Sequence, residues 1–242
     1  MLIDMHSHIL PKADHGSDSL ECSLRQVEKA QSKGISTILA TPHYYRHRDN
    51  IRDFLKRREH CYNKLIPAMQ EKGIDIRIFK GAEVTLEVDL ANDDYLPELC
   101  IEGTDYLLLE MPSTKWTDWT YNAVYDIAVR HKVKPIIAHI DRYEEKQTKK
   151  LLEMGVLAQV NAVSLCNIFT RRRILNYIRT GQAMFLGSDV HDEKAPQYDF
   201  YEKALKIIGE EDVSILMQNA AEVLGLIKRE KKSTDSSGLI LF

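Results

Sequence analysis

The amino-acid sequence predicts an α/β protein, a single-domain barrel of alternating strands and helices. Seven short apolar runs are typical of buried strands, and helical patterns separate most of them. Each run ends in a polar side chain, nearly always His, Asp or Glu. Because active sites in such barrels lie at the carboxyl ends of the strands, we expect these side chains to meet there. The chain of 242 residues suits one barrel domain, which we place over residues 1–226.

The first predicted strand covers residues 2–8 and contains two histidines, His6 and His8. Side chains alternate along a strand, so both imidazoles point to the same side of the chain. Such a pair can bind a metal, although one His-x-His pattern is weak support because two surface histidines can lie together by accident. The metal-binding interpretation is stronger because other apolar runs in the chain also end in residues that can bind a metal.

Six further runs end in a polar residue, and most of these residues can bind a metal. The runs are 37–43, 76–83, 106–110, 135–139, 157–161 and 183–189, ending at His43, Glu83, Glu110, His139, Asn161 and Asp189, with His191 two places later. Imidazole and carboxylate ligands suit zinc, manganese or iron. The sequence therefore predicts a metal site at one end of the barrel.

Helical spacing and capping residues predict the connections between the strands. With their capping residues, the predicted helices cover 18–34, 50–73, 118–131, 148–154, 171–179, 198–208 and 212–224. Asp18 with Glu21 predicts a capping box for the first helix. The periodicity breaks down over 83–106, where we expect a loop with a helical turn. Residues 228–237 are polar and have nothing to bury, so we expect a mobile polar tail over 227–242.

Composition excludes several classes of protein. Lys and Arg number 33 against 36 Asp and Glu, a net charge of -3 that argues against nucleic acid as the main partner. The first strand starts at residue 2, which leaves no room for a signal peptide. No apolar run approaches the roughly 18 residues of a membrane span. We therefore expect a cytoplasmic protein without membrane insertion.

The four cysteines are Cys22, Cys61, Cys100 and Cys166, too widely spaced for a Cys-x-x-Cys pair, so free buried thiols are expected. The segment from Cys166 to Arg172 does fit the Cys-x5-Arg spacing of cysteine-dependent tyrosine phosphatases. It contains no glycine to turn backbone N–H groups towards a phosphate. We interpret Cys166 as a packing residue.

Taken together, the motifs resemble the polymerase and histidinol phosphatase (PHP) superfamily over roughly residues 1–226. Within it, five segments look like the bacterial protein-tyrosine phosphatases of capsule and exopolysaccharide operons. These segments are 1–16, 40–43, 81–83, 137–143 and 187–191. The resemblance implies a distorted, TIM-like (β/α)7 barrel, the PHP fold, which holds three divalent metal ions.

The resemblance also implies which residues bind these ions, expected to be manganese, with zinc or iron as alternatives. The first ion is assigned to His6, His8, Glu83 and Asp189, the second to Glu83, Glu110 and His139, and the third to His43, His191 and a residue of the first loop. Glu83 would then bridge two ions.

The chain departs from these relatives at two positions. The relatives have aspartate directly before the glycine of the first loop, whereas this chain has His15, with Asp14 one place earlier. We expect His15 to complete the third metal site and keep Asp14 as the alternative. The relatives also carry an arginine shortly after the Asp-x-His pair, where this chain offers only Lys194.

The predicted phosphate-binding residues are Arg142 and Lys194. Arg142 can present a planar fork to two phosphate oxygens, with a surface salt bridge as the alternative role. The phenol leaving group of phosphotyrosine has a pKa of only about 10, so a strong general acid is less necessary. Asp192 is a candidate for that acid.

Four aromatic residues, Tyr44, Tyr45, Trp116 and Trp119, lie in predicted loops on the same face of the barrel. They could contact a phenyl ring, although packing is the favoured interpretation. The expected function is hydrolysis of phosphotyrosine by a metal-activated hydroxide. The expected substrate is a phosphotyrosine protein, by family analogy a membrane-associated tyrosine kinase that controls capsule or exopolysaccharide synthesis. The alternatives are a small-molecule phosphatase, such as one acting on histidinol phosphate, and a metal-binding protein without catalysis.

Overall fold

Every strand pairing in the protein is parallel in the computed structural model, which describes residues 1–228. The strands are β1 Leu2–Ser7, β2 Ile35–Ala40, β3 His43–Tyr44, β4 Arg77–Lys80, β5 Glu83–Thr85, β6 Tyr106–Glu110, β7 Lys134–Ile137, β8 Leu157–Asn161 and β9 Phe185–Gly187. They form two sheets, ordered β1-β2-β4 and β3-β5-β6-β7-β8-β9. The predicted α/β class with a parallel sheet is confirmed.

Two of the predicted strands are interrupted, and the interruptions connect the sheets. Only Thr41 and Pro42 separate β2 from β3, and only Gly81 and Ala82 separate β4 from β5. Proline has no N–H group for a strand ladder, which accounts for the first break. Because both chain segments pass from one sheet to the other, the two sheets form one curled surface.

The end of β9 lies directly against β1. The N–H of Asp189 donates to the carbonyl of His6 at 2.8 Å, and the N–H of His8 donates to the carbonyl of Val190 at 2.9 Å. A Cβ atom on Gly187 would lie 2.5 Å from the Cβ of His6, so this approach requires glycine. The contact brings Asp189 to the side of the two histidines.

Eight α-helices in the described residues connect these strands. They are α1 Leu20–Ser32, α2 Ile51–Glu71, α3 Asp118–His131, α4 Glu145–Glu153, α5 Ala162–Cys166, α6 Ile168–Arg179, α7 Gln197–Ile208 and α8 Glu210–Val223. All seven predicted helices are found. The short helix α5 was not predicted, and α4 and α6 each start three residues earlier than predicted. The predicted loop over 83–106 contains two 3-10 turns, Leu90–Asn92 and Leu96–Leu99.

Two helix caps differ from the prediction. The hydroxyl of Ser19, not the carboxylate of Asp18, accepts the N–H of Cys22 and caps α1. Thr117, not Asp118, is the N-cap of α3, where it forms a capping box with Thr120. In both cases the neighbouring hydroxyl residue is the one in extended conformation, which is the backbone geometry that an N-cap needs.

The apolar residues of the strands form the core together with the inner faces of the helices. Tyr44 and Trp116 are buried in it, so the packing interpretation holds for these two aromatic residues. Within residues 1–228, no helix combines the length and apolar content that crossing a bilayer requires. The predicted tail over 227–242 lies outside the described residues beyond residue 228.

Candidate metal centre

His6 near the end of β1 and His8 directly after it face each other across a very short distance. Both His6 and His8 are fully buried, and their Nε2 atoms lie 3.1 Å apart. Two imidazole lone pairs repel each other at this distance unless a proton or a metal ion lies between them. The geometry is therefore that of a chelating pair.

Two carboxylates face the same pair of nitrogens. Oε2 of Glu83 lies 3.1 Å from Nε2 of His6 and 3.2 Å from Nε2 of His8. Oδ1 of Asp189 lies 3.5 and 3.4 Å from the same atoms. The ligand atoms of all four residues lie within 4.8 Å of one another. The structure thus brings together the four residues predicted for the first ion.

Three ligand atoms in this cluster are buried without a hydrogen bond from any described residue: Oε2 of Glu83, Oδ1 of Asp189 and Nδ1 of His43. A buried charged or polar atom without a partner is costly, so few occur in native proteins. Divalent cations would satisfy these atoms, since Glu83 shares one close ligand group with Asp189 and another with His43. The donors are nitrogen and oxygen only, which fits manganese, iron or zinc.

Glu83 extends the cluster in a second direction. Its Oε1 lies 2.7 Å from Nε2 of His139, and Oε1 of Glu110 lies 3.6 Å from the same nitrogen. Nδ1 of His43 lies 3.2 Å from Oε2 of Glu83. Because the two oxygens of Glu83 face different histidines, this carboxylate is placed to bridge two cations.

A third group consists of His8, His43 and His191, whose ligand atoms also lie within 4.8 Å of one another. The rings of His8 and His191 are stacked with centroids 3.8 Å apart. This group contains two of the residues predicted for the third ion. It includes His8 where the prediction has a residue of the first loop.

The first loop places His15 and Asp14 differently. The exposed ring of His15 stacks on His43 with a centroid distance of 4.6 Å, but no such close ligand group in the described residues includes it. Oδ2 of Asp14 accepts a hydrogen bond from Nδ1 of His8 at 2.6 Å and from the N–H of His43 at 2.8 Å. Asp14 therefore fixes the tautomer of His8 that leaves Nε2 free for a metal.

Electrostatics keep Glu83 and Asp189 ionised, whereas burial and the charge of Glu83 raise the pKa of Glu110. Burial raises the pKa of Glu83, but the charges and hydrogen bonds of neighbouring histidines outweigh it and hold that pKa well below its usual range. Burial and the same histidines act on Asp189, whose pKa is also lowered. Burial lowers the pKa of His43 to about 3, so this imidazole is neutral near pH 7 and ready to bind a cation.

Two residues of the cluster occupy strained backbone positions at strand ends. His139 has φ of 33° and Asp189 has φ of 56°, both in the left-handed region. Residues other than glycine adopt it infrequently, at a cost of about 1–3 kcal/mol, and such positions cluster at functional sites. The bends turn both side chains out of the strand direction and into the cluster.

Two amide residues of β8 contact the cluster: Asn161, which was expected at the strand end without a stated role, and Gln159, which was not predicted. Oε1 of Gln159 accepts hydrogen bonds from the N–H of His139 at 2.7 Å and from Nδ1 of His6 at 3.1 Å. Nδ2 of Asn161 donates to Oδ2 of Asp189 at 2.8 Å. The two lie two positions apart on one strand, so strand alternation could have indicated them once β8 was known to face the ligands.

The predicted phosphate-binding residues lie on exposed loops. Arg142 is half exposed, forms an ion pair with Asp189 and lines a pocket together with Glu110. Lys194 and Asp192 are exposed and lie in one turn, where the backbone N–H of Lys194 donates to Oδ1 of Asp192. Only Arg142 among the three has a described side-chain contact with the ligand cluster.

The segment that fits a cysteine-dependent phosphatase does not form a phosphate loop. Cys166 ends α5, and Arg172 lies exposed on α6. Burial raises the pKa of the Cys166 thiol, which opposes the thiolate that such enzymes need. This supports the interpretation of Cys166 as a packing residue.

The chain matches the family model described as capsular polysaccharide synthesis, CpsB/CapC, over residues 2–225. The tyrosine-protein phosphatase YwqE of Bacillus subtilis is 26% identical over 239 residues, which cover 92% of this chain and 91% of that protein. The tyrosine-protein phosphatase CpsB of Streptococcus agalactiae is 25% identical over 249 residues, covering 92% of this chain and 98% of the relative.

Solved structures show the same fold. One, from work on YwqE of Bacillus subtilis and CpsB of Streptococcus pneumoniae as metal-dependent tyrosine phosphatases, superposes with a TM-score of 0.78 at 24% identity and covers 93% of this chain and 94% of its own. Histidinol phosphate phosphatase of Lactococcus lactis, solved with zinc, L-histidinol and phosphate, gives a TM-score of 0.53 at 13% identity, with coverages of 86% and 94%.

Proposed function

Because the chain belongs to the CpsB/CapC family of capsular polysaccharide synthesis proteins, we propose that it is a metal-dependent protein-tyrosine phosphatase. Relatives that carry that name align over nine-tenths of the chain. The observation that carries the proposal is the buried ligand cluster, with the unpaired atoms of Glu83, Asp189 and His43 at its centre. Phosphate ester hydrolysis is the chemistry that such a cluster suits.

The proposal includes three divalent ions, with manganese as the expected metal and zinc or iron as alternatives. His6, His8, Glu83 and Asp189 would hold the first, Glu83, Glu110 and His139 the second, and His43, His191 and His15 the third. Clustered divalent ions neutralise a phosphate dianion and lower the pKa of water from about 15.7 towards 7. The close group of His8 with His43 and His191 makes His8 an alternative to His15 for the third ion.

The protein's own contribution to phosphate binding comes from Arg142. A guanidinium has five N–H donors, and the ion pair with Asp189 leaves others free. Those donors face the pocket that Glu110 and His139 also line, beside the proposed second ion. Arg142 would thus hold phosphate oxygens in place and keep Asp189 oriented. Lys194 and Asp192 are retained as the proposed second cation and general acid.

We extend the proposal to the fold and to the cellular setting. Counting β2 with β3 and β4 with β5 as one strand each gives seven strands, as in a distorted (β/α)7 barrel, and the hydrogen bonds of Asp189 and His8 link its first and last strands. The family description supports a role in capsule or exopolysaccharide synthesis. The proposed substrate is a membrane-associated tyrosine kinase, and the proposed location is the cytoplasm.

The test is release of phosphate from phosphotyrosine, phosphoserine and histidinol phosphate, measured side by side with manganese present. We expect kcat/KM to be highest for phosphotyrosine by at least tenfold. A preference for histidinol phosphate would assign the protein to the small-molecule phosphatases of the superfamily. If the protein binds its full complement of metal but hydrolyses none of the three substrates, it is a metal-binding protein without catalysis.

A further inference from the structure

A groove leads away from the metal cluster along the rim of the sheet. We call it the outer groove; its lining is Tyr45, Arg46, His47, Thr85, Leu86, Glu87, Val88 and Trp119. Thr85 and Leu86 also line the pocket that contains Arg142, Glu110 and His139. The outer groove is therefore continuous with the place proposed for the phosphate.

Two large apolar side chains are exposed in the outer groove. Val88 is 65% exposed and Trp119 is 39% exposed. Large exposed apolar residues that meet in a cleft typically mark a binding site, whereas single exposed residues need no explanation. Trp119 was predicted to face the active side of the barrel. Its exposure here distinguishes it from Trp116, which is packed in the core.

The walls of the outer groove are fixed to each other and to the metal cluster. The carboxylate of Glu87 accepts hydrogen bonds from the ring of His47 at 2.9 Å and from its backbone N–H at 3.0 Å. The ring of Tyr45 stacks on the ligand His43, with centroids 5.2 Å apart. The groove is thus held in shape before any ligand enters, which lowers the entropic cost of binding.

We propose that the outer groove binds the polypeptide that flanks the phosphotyrosine of a protein substrate. The inference rests on the proposed function and deepens it. A free phosphotyrosine or a small phosphate ester would fill only the pocket at Arg142 and leave Val88 and Trp119 without a role. A peptide chain continues past the phosphorylated residue, and an apolar side chain next to it would be buried against these two residues.

The chemistry of the groove specifies the peptide further. Its apolar lining favours leucine, isoleucine or phenylalanine beside the phosphotyrosine. Arg46 is exposed at the rim, and no ion pair is found for it among the described residues, so it disfavours basic flanking residues. The substrate class is therefore a phosphotyrosyl segment with apolar and neutral or acidic neighbours, in an accessible part of the partner protein.

The test compares two substrates of the manganese-loaded protein, free phosphotyrosine and a phosphotyrosyl peptide with leucine on both sides. The double variant Val88→Ser, Trp119→Ala should lower kcat/KM for the peptide about tenfold and change that for free phosphotyrosine less than twofold. A tenfold change corresponds to about 1.4 kcal/mol, which part of one buried leucine side chain can supply. The control is Phe169→Ala, since Phe169 is 88% exposed at the start of α6 and lines no part of the groove.

A second measurement does not depend on turnover. Fluorescence anisotropy gives the Kd of a labelled peptide of the same sequence with a non-hydrolysable phosphonate in place of the phosphate. A tenfold rise in Kd for the double variant supports the groove, even if no phosphotyrosine substrate is hydrolysed and the proposed function is wrong. An unchanged Kd would overturn the proposed peptide site whether or not the protein is active. Equal losses of kcat/KM for the peptide and for free phosphotyrosine would also overturn it.

Discussion

The buried ligand cluster and the exposed loops beside it are built in different ways. His6, His8 and Glu83 are at most 1% exposed and lie in or directly after strands, whereas the Arg142 side chain is 49% exposed and ends a 3-10 turn. Each buried ligand has its position fixed by strand register and by hydrogen bonds. Of the loop cations, Arg142 reaches Asp189 through a long, partly solvated side chain.

This difference predicts a gradient in the effect of mutation. A change in the buried cluster removes a ligand or leaves a charge without its partner in a site from which water is excluded, where both effects are large. A change in the loops removes a charge that solvent already screens. The predictions below run from the centre of the cluster to the outermost cation.

Removal of metal should have the largest effect. After exhaustive chelation, hydrolysis of phosphotyrosine should fall to the background rate, and manganese should restore it better than magnesium because imidazole ligands favour manganese. Activity is measured alongside metal content by elemental analysis. Full activity in a protein free of metal would remove the cluster from the mechanism.

Asp189→Ala should come next, because Asp189 offers one oxygen to the histidine pair and the other to Asn161 and Arg142. We expect turnover below a tenth of the wild-type value and loss of bound metal. The melting temperature is the control for folding. A variant that keeps more than a tenth of the activity with full metal content would show that the first ion is held elsewhere.

Arg142→Ala tests the residue that connects the exposed loops to the buried cluster through its ion pair with Asp189. Removing one preorganised donor to a developing charge typically costs on the order of 10² to 10³ in rate, roughly 2.7 to 4 kcal/mol. We expect kcat/KM to fall by about that factor at unchanged metal content. Arg172→Ala removes an exposed arginine of α6 and is the matched control. Equal activity of Arg142→Ala and the wild type would limit Arg142 to its ion pair.

Asp14→Asn tests whether Asp14 binds a metal ion itself or only orients His8. An asparagine can still accept the hydrogen bond of His8 but carries no charge, and loss of such a partner typically costs 10- to 100-fold in metal affinity. We expect weaker binding with all ions still present at saturation. His15→Ala is the companion: if His15 binds the third ion, one metal per chain is lost. If Asp14→Asn, and not His15→Ala, loses one metal ion per chain, Asp14 is the ligand.

The sequence predicted that strand-end residues meet in one cluster because alternation and the carboxyl ends of parallel strands follow from backbone geometry alone. It did not predict the broken strands: Pro42 does mark the first break, but the break at Gly81 and Ala82 depends on where the two sheets meet. Gln159 was missed because its role depends on β8 facing both His6 and His139. The conformation of the loop around Lys194 depends on local contacts that leave no periodic signal.

Lys194→Ala should have a smaller effect than Arg142→Ala or the changes in the buried cluster. Lys194 is exposed, and no side-chain partner is found for it in the part of the chain that the structure describes. A flexible ammonium makes a point contact with phosphate and must lose side-chain entropy to do so. We therefore expect kcat/KM to fall less than tenfold, with the larger part in KM.

Lys194→Arg sharpens the same comparison because it restores the residue type of the capsule-operon phosphatases that the sequence resembles. A planar fork can bind two phosphate oxygens where the ammonium binds one, so this variant should equal or exceed the wild type if the loop lets it reach. Both variants are compared with Arg142→Ala at equal metal content. A Lys194→Ala enzyme slower than Arg142→Ala would place the main phosphate contact on the outer loop and reverse the gradient from buried to exposed.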